Sequence, residues 1–149
     1  MAFTLTSSAF GDGDVIPTEC TCDGANTPPP LAWSGAPGET ESFALIMDDP
    51  DAPGGTFTHW LLYDLSPQTA RFDASTATSA KTLRNDFGRA GYGGPCPPRG
   101  HGAHRYRFTL HALDVPSLAV RGRNRSALDK AIEGHSLAQA TLTGRYERR

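Results

Sequence analysis

The chain has 149 residues, of which 38% are hydrophobic and 20% charged, with a net charge of −2. That is ample for one domain with a real core, and residues 1–149 are read as one. The 16 glycines and 12 prolines favour turns over long helices, and no apolar run approaches the length of a membrane span, so stable membrane insertion is not expected. The first ten residues have neither a basic n-region nor an unbroken apolar h-region, so the expected location is the cytoplasm. Residues 1–98 carry 4 basic and 12 acidic side chains and residues 99–149 carry 10 and 4, balances of −8 and +6. The cations are scattered among apolar strand positions with no stacking motif beside them. The two halves are therefore read as complementing each other within one fold, with no nucleic-acid partner expected.

In chain order, Phe3-Thr-Leu-Thr6 alternates apolar and polar, a short strand signal. Residues 11–30 are turn-rich and extended, with Asp23-Gly24 a tight turn and Pro28-Pro29-Pro30 lining a surface strand. Leu31-Ala-Trp33 gives a brief strand. Ser42 to Met47 and His59 to Leu65 are the best strands of the first half, and their near-continuous apolarity fits burial on both faces. Gln68–Lys81 is polar and reads as a long surface loop holding a helical turn.

Between those two strands lies Asp48-Asp49-Pro50-Asp51-Ala52-Pro53-Gly54-Gly55-Thr56-Phe57-Thr58-His59. The two prolines stiffen φ and push the residues before them into extended geometry, so the loop holds its side chains in fixed directions, as a pocket wall requires. A second dense stretch runs from Asn85 to Tyr106, where six glycines and three prolines exclude a helix interior. Glycine-rich backbone leaves N–H groups free to face an anion. From His104 the sequence alternates again. His104, Tyr106, Phe108 and Leu110 share one strand face, and Arg105, Arg107, Thr109 and His111 the other. Ser126-Ala-Leu-Asp129 resembles a capping box and Gly134 a helix stop, giving a helix over 126–133. Ala140–Tyr146 closes the fold as a strand.

Cys20, Cys22 and Cys96 lack the second pair of a zinc knuckle. Their odd number argues for reduced thiols, with a Cys22–Cys96 or Cys20–Cys96 bridge between two Gly/Pro-rich loops left open.

Asp49-Pro-Asp-Ala-Pro53, Thr58-His59-Trp60, and Gly94-Pro-Cys-Pro-Pro98 running to Gly102-Ala-His104-Arg105-Tyr106 resemble the signature blocks of the phosphatidylethanolamine-binding protein family. The blocks Thr21-Cys-Asp-Gly24, Pro30-Leu-Ala-Trp-Ser-Gly35 and Gly134-His-Ser-Leu-Ala138 resemble its bacterial, Raf-kinase-inhibitor-like branch. The resemblance covers nearly the whole chain in order. It implies a mainly β fold, a sandwich of two mostly antiparallel sheets with one or two short helices, and a small anion-accepting pocket at one end. Carried over residue by residue, the ligand-binding set is Asp49, Pro53, His59, Gly94, His104 and Tyr106, with Phe57 on the rim. It further implies an isologous homodimer and permits a regulatory role on a partner kinase or protease.

The chemistry expected of that pocket is binding. His59 and His104 supply N–H donors, Tyr106 a hydroxyl and the Gly93-Gly94 backbone another N–H. Asp49 repels a bare anion but suits a guest that carries a proton, which favours hydrogen phosphate or a phosphomonoester over sulfate. Two other chemistries compete. One is a phosphoester hydrolase with His59 or His104 as acid–base and Asp49 as orienter. The other is a metal held by two imidazoles and a carboxylate, with His101-x-x-His104 adding a third ring. No nucleophile elbow and no phosphate-transfer loop accompanies the first, and no helical i, i+4 pair the second. The expectation is a non-catalytic phosphate-type binder without metal or cofactor.

Overall fold

The computed structural model describes residues 2–73 and 80–149. Among them, strands β1 (Thr4–Thr6), β2 (Leu31–Ser34) and β5 (Arg71–Phe72) form a small sheet in the order β1-β2-β5. Strands β3 (Ser42–Asp49), β4 (Phe57–Leu65), β6 (Lys81–Thr82), β7 (His104–Leu113) and β8 (Ser136–Tyr146) form a larger one in the order β6-β4-β3-β7-β8. Every strand pairing is antiparallel.

β3 organises the larger sheet because it is central and covered on both sides: all eight of its residues are buried. Its side chains alternate between two cores. Phe43, Leu45 and Met47 pack with Trp60, Leu62, Phe108 and Leu110 against Leu5, Leu31 and Trp33 of the small sheet. Ala44 and Ile46 face the other way, under Leu118, Leu128 and Ile132 of the segment that follows β7. A sheet packed on both faces reads as an unbroken apolar run, which is what Ser42–Met47 shows. Each fully buried large apolar side chain in these layers contributes roughly 1.5–3 kcal/mol relative to an exposed one.

The helix α1 spans Arg125–Ile132, and its N-cap is Asn124, whose Oδ1 accepts from Ala127 N–H at 3.2 Å. The start expected at Ser126 is therefore shifted by one residue, because Asn124 captures the orphan amide first. The expected final strand is longer than its alternation suggested and begins at Ser136, since it pairs along the whole of β7. The expected loop Gln68–Lys81 contains strand β5, held by antiparallel pairing of Leu31 with Phe72. The helical turn anticipated there falls in part on residues 74–79, outside the described residues.

The cysteines also depart from the reduced-thiol expectation. Cys22 and Cys96 form a disulfide across 74 residues, and Cys20 remains a buried free thiol. The two loops meet because the Cys22 amide donates to the Pro95 carbonyl and the Gly94 amide to Asn26 Oδ1.

Candidate ligand-binding site

The pocket lies where β3 ends and β4 and β7 begin. Antiparallel pairing of β3 with both neighbours brings the Asp49 end of one to the Phe57 and His104 ends of the others. A β-bulge refines this placement. Met47 pairs with Trp60 and Asp48 with Thr58, so His59 is an extra residue in β4 with no partner in β3. A bulge turns two successive side chains toward one face. Trp60 enters the core between the sheets, and the His59 ring lies 5.3 Å from that of Tyr106 on the same side.

Asp49, Pro53, His59, His104 and Tyr106 all line one cavity of about 210 Å³, together with Phe57, Phe87, Pro97 and Pro98. Asp49, His59 and His104 are each no more than 3% exposed, and Tyr106 is fully buried. The walls are apolar and the floor polar. No Lys or Arg lines the cavity among the described residues.

The β3–β4 loop is fixed from both ends. Asp49 Oδ1 accepts from the Asp51 amide at 2.8 Å, an Asx turn following the strand. Asp51 in turn accepts from Arg105 Nε at 3.0 Å and Nη2 at 2.9 Å, and from the Arg105 amide at 2.9 Å. These bonds to Arg105 pull the Asp51 carboxyl down to about 2. The loop is thereby tied to β7 beside His104.

The two histidines are held differently. His59 Nδ1–H donates to the Gly93 carbonyl at 2.6 Å, while the Gly93 amide donates to the His59 carbonyl at 3.0 Å. Burial drives the His59 imidazole below its ordinary range, opposed by the Gly93 carbonyl and the Asp49 charge. The ring is a neutral imidazole that gives Nδ1–H to the protein and leaves Nε2 as a lone pair on the cavity. His104 Nδ1–H donates to Asp49 Oδ2 at 2.6 Å, and its Nε2 lies 2.6 Å from His101 Nδ1. Both nitrogens of His104 are therefore engaged within the protein.

Tyr106 stands between the two rings, 5.3 Å from His59 and 6.4 Å from His104 by centroid. Its hydroxyl is buried and has no hydrogen-bond partner among the described residues. Burial and then the Asp49 charge push its ionisation well above the usual phenol range, so it is a neutral O–H. An unpartnered buried hydroxyl costs about 1–3 kcal/mol.

Gly94 does not join the others. It is absent from the cavity lining, and its amide is spent on Asn26 Oδ1 at 2.9 Å. A Cβ at this position would collide with the Cys20 carbonyl and the Asn26 side chain, so glycine serves the close packing of two loops. The expected donor set of two imidazoles, a phenol and a Gly93-Gly94 amide thus reduces to the Tyr106 hydroxyl alone, with the His59 Nε2 lone pair and Asp49 beside it as acceptors. Beyond the expected set, the cavity is also lined by Ala52, Pro97, Pro98, Phe87, whose ring lies 4.8 Å from that of Phe57, and Cys96, which brings the disulfide to the cavity wall. His101 reaches the site only through His104. Its spacing, His101-x-x-His104, was the one sequence signal.

A phosphatidylethanolamine-binding protein family model matches residues 6–147. The chain belongs to the phosphatidylethanolamine-binding protein family. The UPF0098 protein of Aquifex aeolicus is 48% identical over 148 residues, covering 95% of this chain and 86% of that protein. Among solved structures, the phosphatidylethanolamine-binding protein homologue CT736 of Chlamydia trachomatis superposes with a TM-score of 0.91 at 39% identity, over 99% of both chains. Escherichia coli YbcL, described as a new member of the mammalian family, gives the same TM-score at 32% identity over the full length of both. The two antiparallel sheets with little helix described above are the fold of this family.

Proposed function

We propose that this member of the phosphatidylethanolamine-binding protein family binds a small, proton-bearing phosphate-type head group, a hydrogen phosphate or phosphomonoester, and releases it unchanged. The observation that carries the reading is the Tyr106 hydroxyl, buried without a partner at the floor of the cavity. It is a donor awaiting an acceptor. Beside it the His59 Nε2 lone pair awaits a donor, and Asp49, whose oxygens already accept from the Asp51 amide and His104, keeps further acceptor capacity toward the hydroxyl and the cavity. A monoanion that keeps one proton meets both demands: it accepts from Tyr106 and donates to Asp49 or His59. A dianion or sulfate meets only the first and confronts the Asp49 charge, with no Lys or Arg in the lining to offset it. The apolar walls of Pro53, Phe57 and Phe87 suit the ester substituent.

Calorimetric titration with inorganic phosphate, phenyl phosphate and sulfate between pH 5.5 and 8.5 tests this. Phosphate and its ester bind, sulfate binds at least about 10-fold more weakly, a difference of ~1.4 kcal/mol. Equal binding of phosphate and sulfate contradicts the reading.

A second reading is acid–base hydrolysis of a phosphoester, favoured by one observation, the continuous row Asp49–His104–His101. Turnover of p-nitrophenyl phosphate that is abolished in His104→Ala selects it over plain binding. Inhibition of a partner kinase or protease through the cavity rim, and a symmetric homodimer, are part of the proposal and are tested by pull-down and light scattering. The cytoplasm is proposed as the location, where the Cys22–Cys96 disulfide must persist against a reducing pool. Thiol alkylation of fractionated cells reads both at once, and an oxidised pair in an exported fraction overturns it.

A further inference from the structure

His101 is outside the cavity lining, yet it is bound into the site. Its Nδ1 lies 2.6 Å from His104 Nε2, and the opposite nitrogen of His104 lies 2.6 Å from Asp49 Oδ2. His101 is exposed, while His104 and Asp49 are buried. The row therefore runs from solvent through two imidazoles to the carboxylate at the cavity floor.

Two ring nitrogens at hydrogen-bond distance bracket one hydrogen. Because Asp49 accepts from His104 Nδ1–H, the Nε2 of a neutral His104 is an acceptor, and His101 Nδ1–H donates to it. One added proton is accommodated in two ways. It sits on His101, which still donates inward, or on His104, which then donates Nε2–H outward to a bare His101 Nδ1. A second added proton places hydrogens on both facing nitrogens and breaks the contact. The pair thus takes up one proton jointly and resists the next, as coupled sites do.

On the His101 side stand Arg99, two residues before it, and Arg148, whose backbone carbonyl accepts from the Gly100 amide at 2.9 Å. Asp49 lies on β3, and Asp51 in the following loop is ion-paired to Arg105. Tyr106 follows on β7, Tyr146 pairs with His104 across β8, and His59 lies beyond Tyr106. Among the described residues only Asp49 is hydrogen-bonded to the pair.

We propose that His101 is a positioning residue that sets the protonation of the pocket: by sharing one proton with His104, it lets the buried Asp49–His104 couple become neutral when an anion enters. Its consequence for affinity rests on the phosphate-binding reading, but its primary readout does not need a ligand.

The test is a ring-nitrogen NMR titration of the full chain, wild type, His101→Ala and His101→Gln, first without ligand and then with inorganic phosphate. In the wild type, His101 and His104 titrate together in two steps. In H101A, His104 titrates in a single step at lower pH, because the charge-assisted bond its cation gives His101 is lost and outweighs the neutral bond it accepts. In H101Q the step is also single, but the midpoint returns toward the wild-type value, since the Gln carbonyl accepts the hydrogen bond without taking the proton. Phosphate binding near pH 6 weakens in H101A by about 3–10-fold and is unchanged above pH 8. Independent single-step titration of both rings in the wild type overturns the proposal. So does an unmoved His104 midpoint in H101A, or a phosphate pH profile identical to wild type. Should phosphate fail to bind the wild type at all, the proposed function falls while the ligand-free titration still decides the role of His101.

Discussion

His59 and Trp60 are consecutive in the chain and yet face the same side of the sheet, because the pairing of β4 with β3 skips from Trp60 to Thr58. That single irregularity sends the indole into the core and the imidazole into the cavity, 5.3 Å from Tyr106. The irregularity also fixes the protonation of His59, since the ring it buries gives its Nδ1–H to the Gly93 carbonyl at 2.6 Å.

The burial of His59 makes stability fall on the acid side. An unfolded histidine protonates near pH 6.5, whereas the folded ring stays neutral to lower pH because burial disfavours its cation. The His59 contribution is complete above about pH 6.5 and is lost as pH falls toward the depressed folded value. Burial lowers His111 as well, so it adds slope in the same sense. Thermal denaturation of wild type and His59→Gln from pH 5 to 8 checks this: the variant retains only the His111 part of the acid-side decline.

Tyr106→Phe separates stability from binding. The hydroxyl it removes has no partner among the described residues, so the variant is as stable as wild type or up to about 1–2 kcal/mol more stable. Phosphate affinity falls about 10-fold, ~1.4 kcal/mol. Urea unfolding and a phosphate titration on the same preparation read the two effects. A variant that is destabilised and still binds normally argues for a structural hydroxyl.

Asp49 is expected to hold both the fold and the selectivity. Asp49→Ala strands the His104 Nδ1–H and the Asp51 amide that its oxygens now accept from, costing about 3–5 kcal/mol in urea unfolding. Asp49→Asn keeps one carbonyl oxygen and loses the charge. It recovers part of that stability and binds sulfate about as well as phosphate. If the Asn variant still discriminates as wild type does, the Asp49 charge is not the source of selectivity.

Reduction of Cys22–Cys96 opens a loop of 74 residues, and the chain-entropy model puts the loss at about 4.4 kcal/mol. Calorimetry of wild type with and without dithiothreitol, alongside Cys22→Ser/Cys96→Ser, measures it. Because Cys96 lines the cavity, phosphate affinity declines in the same samples. An unchanged melting temperature in the reduced protein contradicts the expected contribution.

Much of this arrangement is legible before any coordinates, for reasons that differ from residue to residue. Ser42–Met47 reads as a doubly covered strand because burial on both faces leaves no polar alternation, and all eight residues of β3 are buried. His104 and Tyr106 are correctly placed on one face because β7 keeps strict alternation through Leu110. Alternation fails for His59, because a bulge is decided by the partner strand and leaves no mark in Phe57-Thr-His-Trp60. The block that holds Gly94 points to the pocket, but whether its amide faces a ligand or Asn26 depends on a loop 68 residues away. The disulfide was open for the same reason, since only the meeting of two distant loops selects Cys22 over Cys20. The helix start differs in kind: Asn124, two residues before the Ser126 pattern, is the cap the structure uses.

Asp48 and Asp49 sit back to back at the end of β3, and their surroundings are not interchangeable. Asp48 is clamped by Arg107 at 2.9 Å and by Arg125 at 2.6 Å on the helix side, while Asp49 meets His104 and the apolar-walled cavity on the other. A slip of β3 by one residue puts Asp48 in the place of Asp49 and Met47 in the place of Asp48. It would leave two guanidinium groups without their shared anion and Met47 where a charge belongs. The charges of the site therefore also act as an alignment key for the sheet, rejecting a neighbouring register that the apolar run Phe43–Met47 alone would tolerate.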